Sequence, residues 1–202
     1  MNTINPKHLT MYDELAMRAN LNFSRLEAEK YWPETIFSMD LNSWPADWEG
    51  RTMLAQTMLA QTTGRTPAFL GEILAKIPEH LNEKGYLGPV YPEGYTHEQA
   101  MSGHSWMIRA LVEYYNWKRE SESDQAEKAM KILKSIINNL YLPQISNYEK
   151  YPTTFEERYN AKKWILSEAV DPNWKKAGEN PDKKYKTGTS DVGCAVIAIE
   201  GA

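Results

Sequence analysis

Apolar residues recur along this chain mainly at helical spacing, three and four positions apart. Leu9, Tyr12, Leu15, Ala16 and Ala19 fit one face of a first helix. Ser24-Arg25-Leu26-Glu27 has capping-box spacing and predicts the start of a short second one. Pro33, Pro45 and several turn formers predict an ordered loop from Tyr31 to Trp48. From Gly50 to Thr62, Met53, Leu54, Thr57, Met58 and Ala60 predict a buried helix closed by Gly64. Thr66 as N-cap and Pro67 at the first helical position predict the next start. Its apolar face is Phe69, Leu70, Ile73, Leu74, Ile77 and Leu81, with a kink or break near Ile77 because Pro78 follows.

Gly, Pro and Tyr then alternate from Asn82 to Thr96, a loop composition suited to shaping a binding surface. A helix from Glu98 or Gly103 to Lys118 is expected to bury Trp106, Ile108, Leu111, Val112 and Tyr115. Ala126, Ala129, Ile132, Leu133, Ile136 and Ile137 predict another over Ser123–Leu140, ended by Pro143. Phe155 to Ala169 reads as a weaker helix and Asp171 to Gly188 as a polar loop, before a new apolar segment opens at Asp191. The order of buried helix, amphipathic helix and loop occurs twice, beginning near Gly50 and near Gly103. Helical hairpins normally come in several copies, because each buries its face on a neighbour. The expectation is therefore all-α: one domain over residues 1–202, made of hairpins from an incomplete (α/α)6 toroid whose closing helices lie beyond Ala202.

Three helix starts share a pattern of polar groups beside a small residue: Trp48-Glu49-Gly50-Arg51, Ser102-Gly103-His104 and Ser190-Asp191-Val192-Gly193-Cys194. Helix N-termini carry unpaired N–H groups and a partial positive charge, so they suit polar or anionic ligands. If the three helices point the same way, their starts line one bowl. Glycoside cleavage uses two carboxylates, which makes Glu49 and Asp191 the candidate pair. His104 could shuttle a proton or bind a hydroxyl, and Arg51 could hold Glu49 ionised or grip a sugar carboxylate. Trp48 and Trp106 offer ring faces for stacking; Tyr86, Glu98 and Gln99 complete the candidate binding set. Capping alone also explains acids at helix starts, and an Arg51–Glu49 bridge could be purely structural.

The remaining composition narrows the classes. Net charge is −4, with no strong basic stripe, which argues against nucleic acid as the main partner. Seven Trp and twelve Tyr give aromatic rings for both core and sugar platforms. The lone Cys194 excludes an intrachain disulfide and a multi-cysteine zinc site. No run reaches membrane-spanning length and no leader is visible; the chain as given is expected in the cytoplasm, or outside it if the native start is missing.

Asp47-Trp48-Glu49-Gly50-Arg51, the stretch Pro78 to Gly88, Glu98-Gln99 with Ser102-Gly103-His104-Ser105-Trp106, and Asp191-Val192-Gly193-Cys194 together resemble the bacterial β-L-arabinofuranosidase-like glycoside hydrolases, family 127 and its relatives. The resemblance spans roughly residues 20 to 202. It implies a catalytic (α/α)6 toroid followed by β-sandwich domains, acting on complex glycans. It also implies a cysteine nucleophile near zinc, held by further cysteines and a glutamate. With one cysteine this chain departs from that pattern, so the fold and the sugar bowl carry over, and neither a metal nor another cofactor is expected. The expected partner is a carbohydrate, with self-association through the exposed edge of an open toroid. A non-catalytic carbohydrate-binding or interaction fragment is the alternative, as is a polysaccharide lyase or unsaturated-uronyl hydrolase suited by Arg51 and His104.

Overall fold

The computed structural model describes residues 10–38, 44–90, 96–148 and 165–166. They are all-helical in character: α1 Asp13–Arg25, α2 Pro33–Ile36, α3 Asp47–Thr63, α4 Leu70–His80, α5 Glu98–Lys118, α6 Ser123–Ile136 and α7 Ile145–Tyr148. One two-residue parallel pairing joins β1, Thr96–His97, to β2, Ile165–Leu166. That pairing makes Ile165 and Leu166 extended, where the sequence pattern predicts helix. The rest of the predicted Phe155–Ala169 helix, the Asp171–Gly188 loop and the Asp191 start lie outside the described residues.

The central contact is between α3 and α5, and two glycines create it. A Cβ on Gly50 would lie 2.7 Å from the carbonyl carbon of Trp106 and closer still to the Met107 amide nitrogen. A Cβ on Gly103 would sit 3.0 Å from the Asp47 amide nitrogen and against the Pro45 carbonyl oxygen. Only hydrogen at both positions lets the two backbones approach this closely. The pairs also give the direction: moving from Asp47 to Gly50 on α3 corresponds to moving from Gly103 to Met107 on α5. The two helices therefore run the same way.

The returning helices match them. Gly71, at the start of α4, lies beside Gln125 at the start of α6. Just beyond the other ends, Asn139 Nδ2 donates to the Lys84 carbonyl at 2.7 Å. Each pair, α3 with α4 and α5 with α6, is thus a helical hairpin, and the two lie alongside with like helices parallel. Ile36, Met53, Ile73, Ile77, Leu87, Met107, Leu111 and Ile136 form the core between them, each fully or almost fully buried.

Several sequence expectations are corrected by this packing. On α1 the buried residues are Ala19 and Phe23, while Tyr12 and Leu15 stay 73% and 62% exposed. Arg65, just past α3, donates to the Asn20 carbonyl, and Gln56 in mid-α3 donates to the Leu26 carbonyl. The helix α1 is antiparallel to α3, so its first turns overhang the end of α3, where none of the described residues covers Tyr12 or Leu15. Ser24 lies inside α1 rather than capping a new helix. The stretch after it folds into a 3-10 turn at Glu29–Tyr31 and then α2, which begins on Pro33. The first buried helix starts at Asp47 rather than Gly50, ends at Gly64 as expected, and leaves Met58 39% exposed.

The Thr66-Pro67 pair precedes α4 by several residues, and Phe69 stands at the N-cap. Pro78 is accommodated in the last turn, so the helix continues to His80 instead of breaking at Ile77. On α5, Tyr114 and Met107 are buried where Val112 is 37% exposed. Pro143 does not stop the chain after α6. A π-helical turn at Ile137–Tyr141 leads into a 3-10 turn at Leu142–Gln144 and on to α7.

A tight turn follows α4. Leu81 and Leu87 form an antiparallel bridge, Asn82 Oδ1 accepts the Lys84 amide at 2.9 Å, and Gly85 takes a φ of 81°. Its Cα faces Ser135 on α6, where an added Cβ would strike the hydroxyl. Gly85→Ala is expected to cost about 2 kcal/mol, from the left-handed backbone and the clash together. Urea unfolding checks it, and a shift below a few tenths of that would show the turn to be pliant.

Candidate functional site

The start of α3 places its groups on different faces. Ala46 enters with a φ of 68° and no side chain caps the helix, so the acids of the first turn, Asp47 and Glu49, face the positive end of the helix dipole. Glu49 points inward and is 1% exposed. Neither of its carboxyl oxygens finds a hydrogen-bond partner among the described residues. Burial pushes its pKa up to about 7; its own amide opposes this, and the nearby charge of Asp47 adds to it. Burial thus favours retention of the Glu49 proton well above the pH at which an ordinary carboxyl loses it.

Arg51 is two residues further on, which places it on nearly the opposite side of the helix. Its side chain is 52% exposed, and its Nε donates to Asp47 Oδ1 at 2.9 Å. Of the roles the sequence leaves open for Arg51, the bridge to Glu49 is not formed, and Asp47 is the partner instead. The spacing of four between Asp47 and Arg51 was the signal in the sequence for that pair. The Asp47 pKa is raised by partial burial, against the pull of Arg51.

Both candidate platforms are already in contact with other side chains. Trp48 stacks on Tyr31 with centroids 5.5 Å apart and planes within 3°. Trp106 carries the Arg51 guanidinium 4.7 Å above its ring, and that of Arg109 lies 5.4 Å away. The Nε1–H groups of both tryptophans are buried and, among the described residues, have no acceptor. Tyr31 had no part in the sequence-based site; only its aromatic character hinted at such a role.

His104 is buried completely and held at both nitrogens. Nδ1 lies 2.7 Å from the Ala100 carbonyl and Nε2 accepts the Leu87 amide at 3.1 Å. This arrangement puts the proton on Nδ1 of a neutral ring, and burial drives the pKa down to about 4. Tyr86 is also buried, edge-on to the imidazole at 5.8 Å. In this arrangement His104 clips the turn after α4 to the first turns of α5, and no ring nitrogen faces a ligand. Gln99, near the start of α5, has a buried Oε1 with no donor among the described residues, as do Gln56 Oε1 and the Thr57 hydroxyl in α3 as acceptors. Glu98 begins α5. Asp191 and Cys194 lie outside the described residues, so the second carboxylate of the expected pair is not placed.

Among the described residues, no three His, Cys, Asp or Glu side chains gather to hold a metal ion, so none can be named as ligands for the zinc that the resemblance implies. Nor is any described helix long and apolar enough to cross a membrane. Comparison with protein-family models, with curated proteins and with solved structures finds no match to this chain.

Proposed function

We propose that this chain is a carbohydrate-active helical domain of the glycoside hydrolase type, in which Glu49 supplies the proton to a leaving-group oxygen. The observation that carries this reading is the set of unfilled hydrogen-bonding groups near the α3–α5 crossing: the Glu49 carboxyl and the Trp48 and Trp106 indole N–H groups. Buried polar groups are almost always paired, and unpaired ones mark a strained or functional position. A carboxyl that holds its proton near neutrality, and unpaired indole N–H donors on the same two helices, are groups that the hydroxyls and bridging oxygen of a sugar can pair with. A carboxylic acid with a raised pKa is the group that glycosidic cleavage requires as its acid.

Two hairpins with parallel α3 and α5, and α4 and α6 returning outside the crossing, support the (α/α) toroid arrangement, in which like helix starts face one opening. The β-L-arabinofuranosidase-like resemblance points to a complex glycan as substrate.

A panel of aryl glycosides and plant-type oligosaccharides tests the proposal. Turnover is expected on at least one, declining above pH 7 as Glu49 loses its proton. Glu49→Gln should remove about a hundredfold or more of kcat while leaving sugar binding intact. Binding without turnover in the wild type would favour a carbohydrate-binding domain instead. Undiminished kcat in Glu49→Gln would exclude the acid role.

A further inference from the structure

We infer that His104 is an acid-operated latch, whose protonation releases the turn 81–88 from α5 while the two hairpins stay packed. The turn carries Tyr86, and the inference holds whether or not the ligand is a carbohydrate.

The turn is held together from within. Leu81 and Leu87 bridge its ends, the Asn82 amide donates to the Tyr86 carbonyl at 2.9 Å, and Asn82 Nδ2 donates to the Gly88 carbonyl at 2.8 Å. These bonds travel with the turn if it lifts. Outward, Asn139 Nδ2 ties the Lys84 carbonyl to α6, and the Leu87 amide is tied to α5 through His104 Nε2. The second tie depends on the charge of the ring. His104 Nδ1 is committed to the Ala100 carbonyl, four residues back in the same helix, so an added proton enters at Nε2. Nε2–H then meets the Leu87 N–H, donor against donor, at a ring that is fully buried. Tyr86 is the titratable group beside the ring, edge-on at 5.8 Å, and no charged side chain among the described residues stabilises the added proton. Lifting the turn gives Nε2 to water and ends the conflict. It also brings the buried Tyr86 and Leu87 outward, so the acid state presents a different surface beside α5.

Linkage gives the direction. His104 has a pKa of about 4 when latched against an ordinary 6.5 when open, so opening takes up a proton and becomes more favourable as pH falls from 6.5 to 4. Its equilibrium constant should rise about tenfold per pH unit over that range. Whole-chain unfolding has another profile, because it also exposes Glu49. The Glu49 proton release offsets the His104 uptake between pH 4.5 and 6.5.

Amide hydrogen exchange of the full chain, followed by NMR from pH 6.5 to 4.5 and corrected for intrinsic rates, tests the latch. Leu87 should open about a hundredfold more at the acid end, while the core amides of Met53 and Leu111 stay level. His104→Gln should abolish the Leu87 slope. Should that variant fail to fold, Asn139→Ala serves in its place. It unties the turn from α6, so it should raise Leu87 opening at every pH, keep the slope and leave Met53 nearly unchanged. Leu87 opening that matches Met53 in both size and pH profile overturns the inference, because the turn then opens only with the whole fold. Local opening that is independent of pH overturns it too, because the turn then lifts without freeing His104.

Discussion

Gly50→Ala is expected to lose about 3 kcal/mol or more of folding stability, a large fraction of what a domain of this size possesses. The methyl would enter the space occupied by the Trp106–Met107 peptide. A side chain in the way can rotate aside, but a backbone in mid-helix cannot, so α3 and α5 would have to separate along their contact. Gly103→Ala should behave similarly, since its obstacle is the Pro45 carbonyl. Gly71→Ala is the control within the same fold. It lies in a helix with its nearest neighbour at an ordinary 3.6 Å, so it should gain up to about 1 kcal/mol from helix propensity. Urea unfolding of the three variants separates these effects. Equal shifts at Gly50 and Gly71 would mean that the crossing is not close.

The second large effect is in the pH dependence of stability, where two buried groups oppose each other. Glu49 has a folded pKa of about 7 against an ordinary 4.5. As pH rises from 4.5 to 7 the unfolded chain releases a proton that the folded one retains, so stability falls, by about 3 kcal/mol in all. Above pH 7 the loss is constant. His104 has a folded pKa of about 4 against 6.5. As pH falls from 6.5 to 4 the unfolded chain takes up a proton that the folded one refuses, and stability again falls by about 3 kcal/mol. The two slopes have opposite sign and overlap between pH 4.5 and 6.5, where their sum should be nearly flat. Folding in that window converts a carboxylate and an imidazolium into two neutral groups.

Removing one group exposes the other. Glu49→Gln should be up to about 3 kcal/mol more stable than the wild type at pH 8, and should become steeply acid-sensitive below pH 6.5. Urea midpoints at pH 4.5, 6.5 and 8 measure both effects. If the variant and the wild type keep parallel profiles, Glu49 is not neutral in the fold.

Much of the helical layout was legible because it depends on period. The Leu70–Ile77 face and the Ala126–Ile136 face both lie against the core as their spacing predicts. What the sequence could not convey was the third dimension. Tyr12 and Leu15 have the correct period, but whether they are covered depends on where α3 ends beside them. Pro78 and Pro143 looked like stops, yet proline is tolerated in a last turn or at the start of a new one. The candidate site followed the same rule. Gly50 and Gly103 were singled out as small residues beside polar ones, and the structure shows that their size serves the helix contact. His104 drew attention as a titratable group, but its partners, the Leu87 amide and the Ala100 carbonyl, include one from a turn no local pattern could join to it. Glu49 and Arg51 are neighbours in sequence and separated in space by the helical twist between them.

The close glycine crossing also constrains how the chain reaches its fold. Gly50 meets Met107 only after an entire hairpin has been made between them. A ribosome adding roughly 5 to 20 residues per second would leave the contact face of α3 without its partner for several seconds. During that interval a bare glycine notch beside Met53 and Leu54 is exposed to other nascent chains. Synthesis slowed between α3 and α5 should therefore lower the soluble yield more than the same delay placed after Lys118.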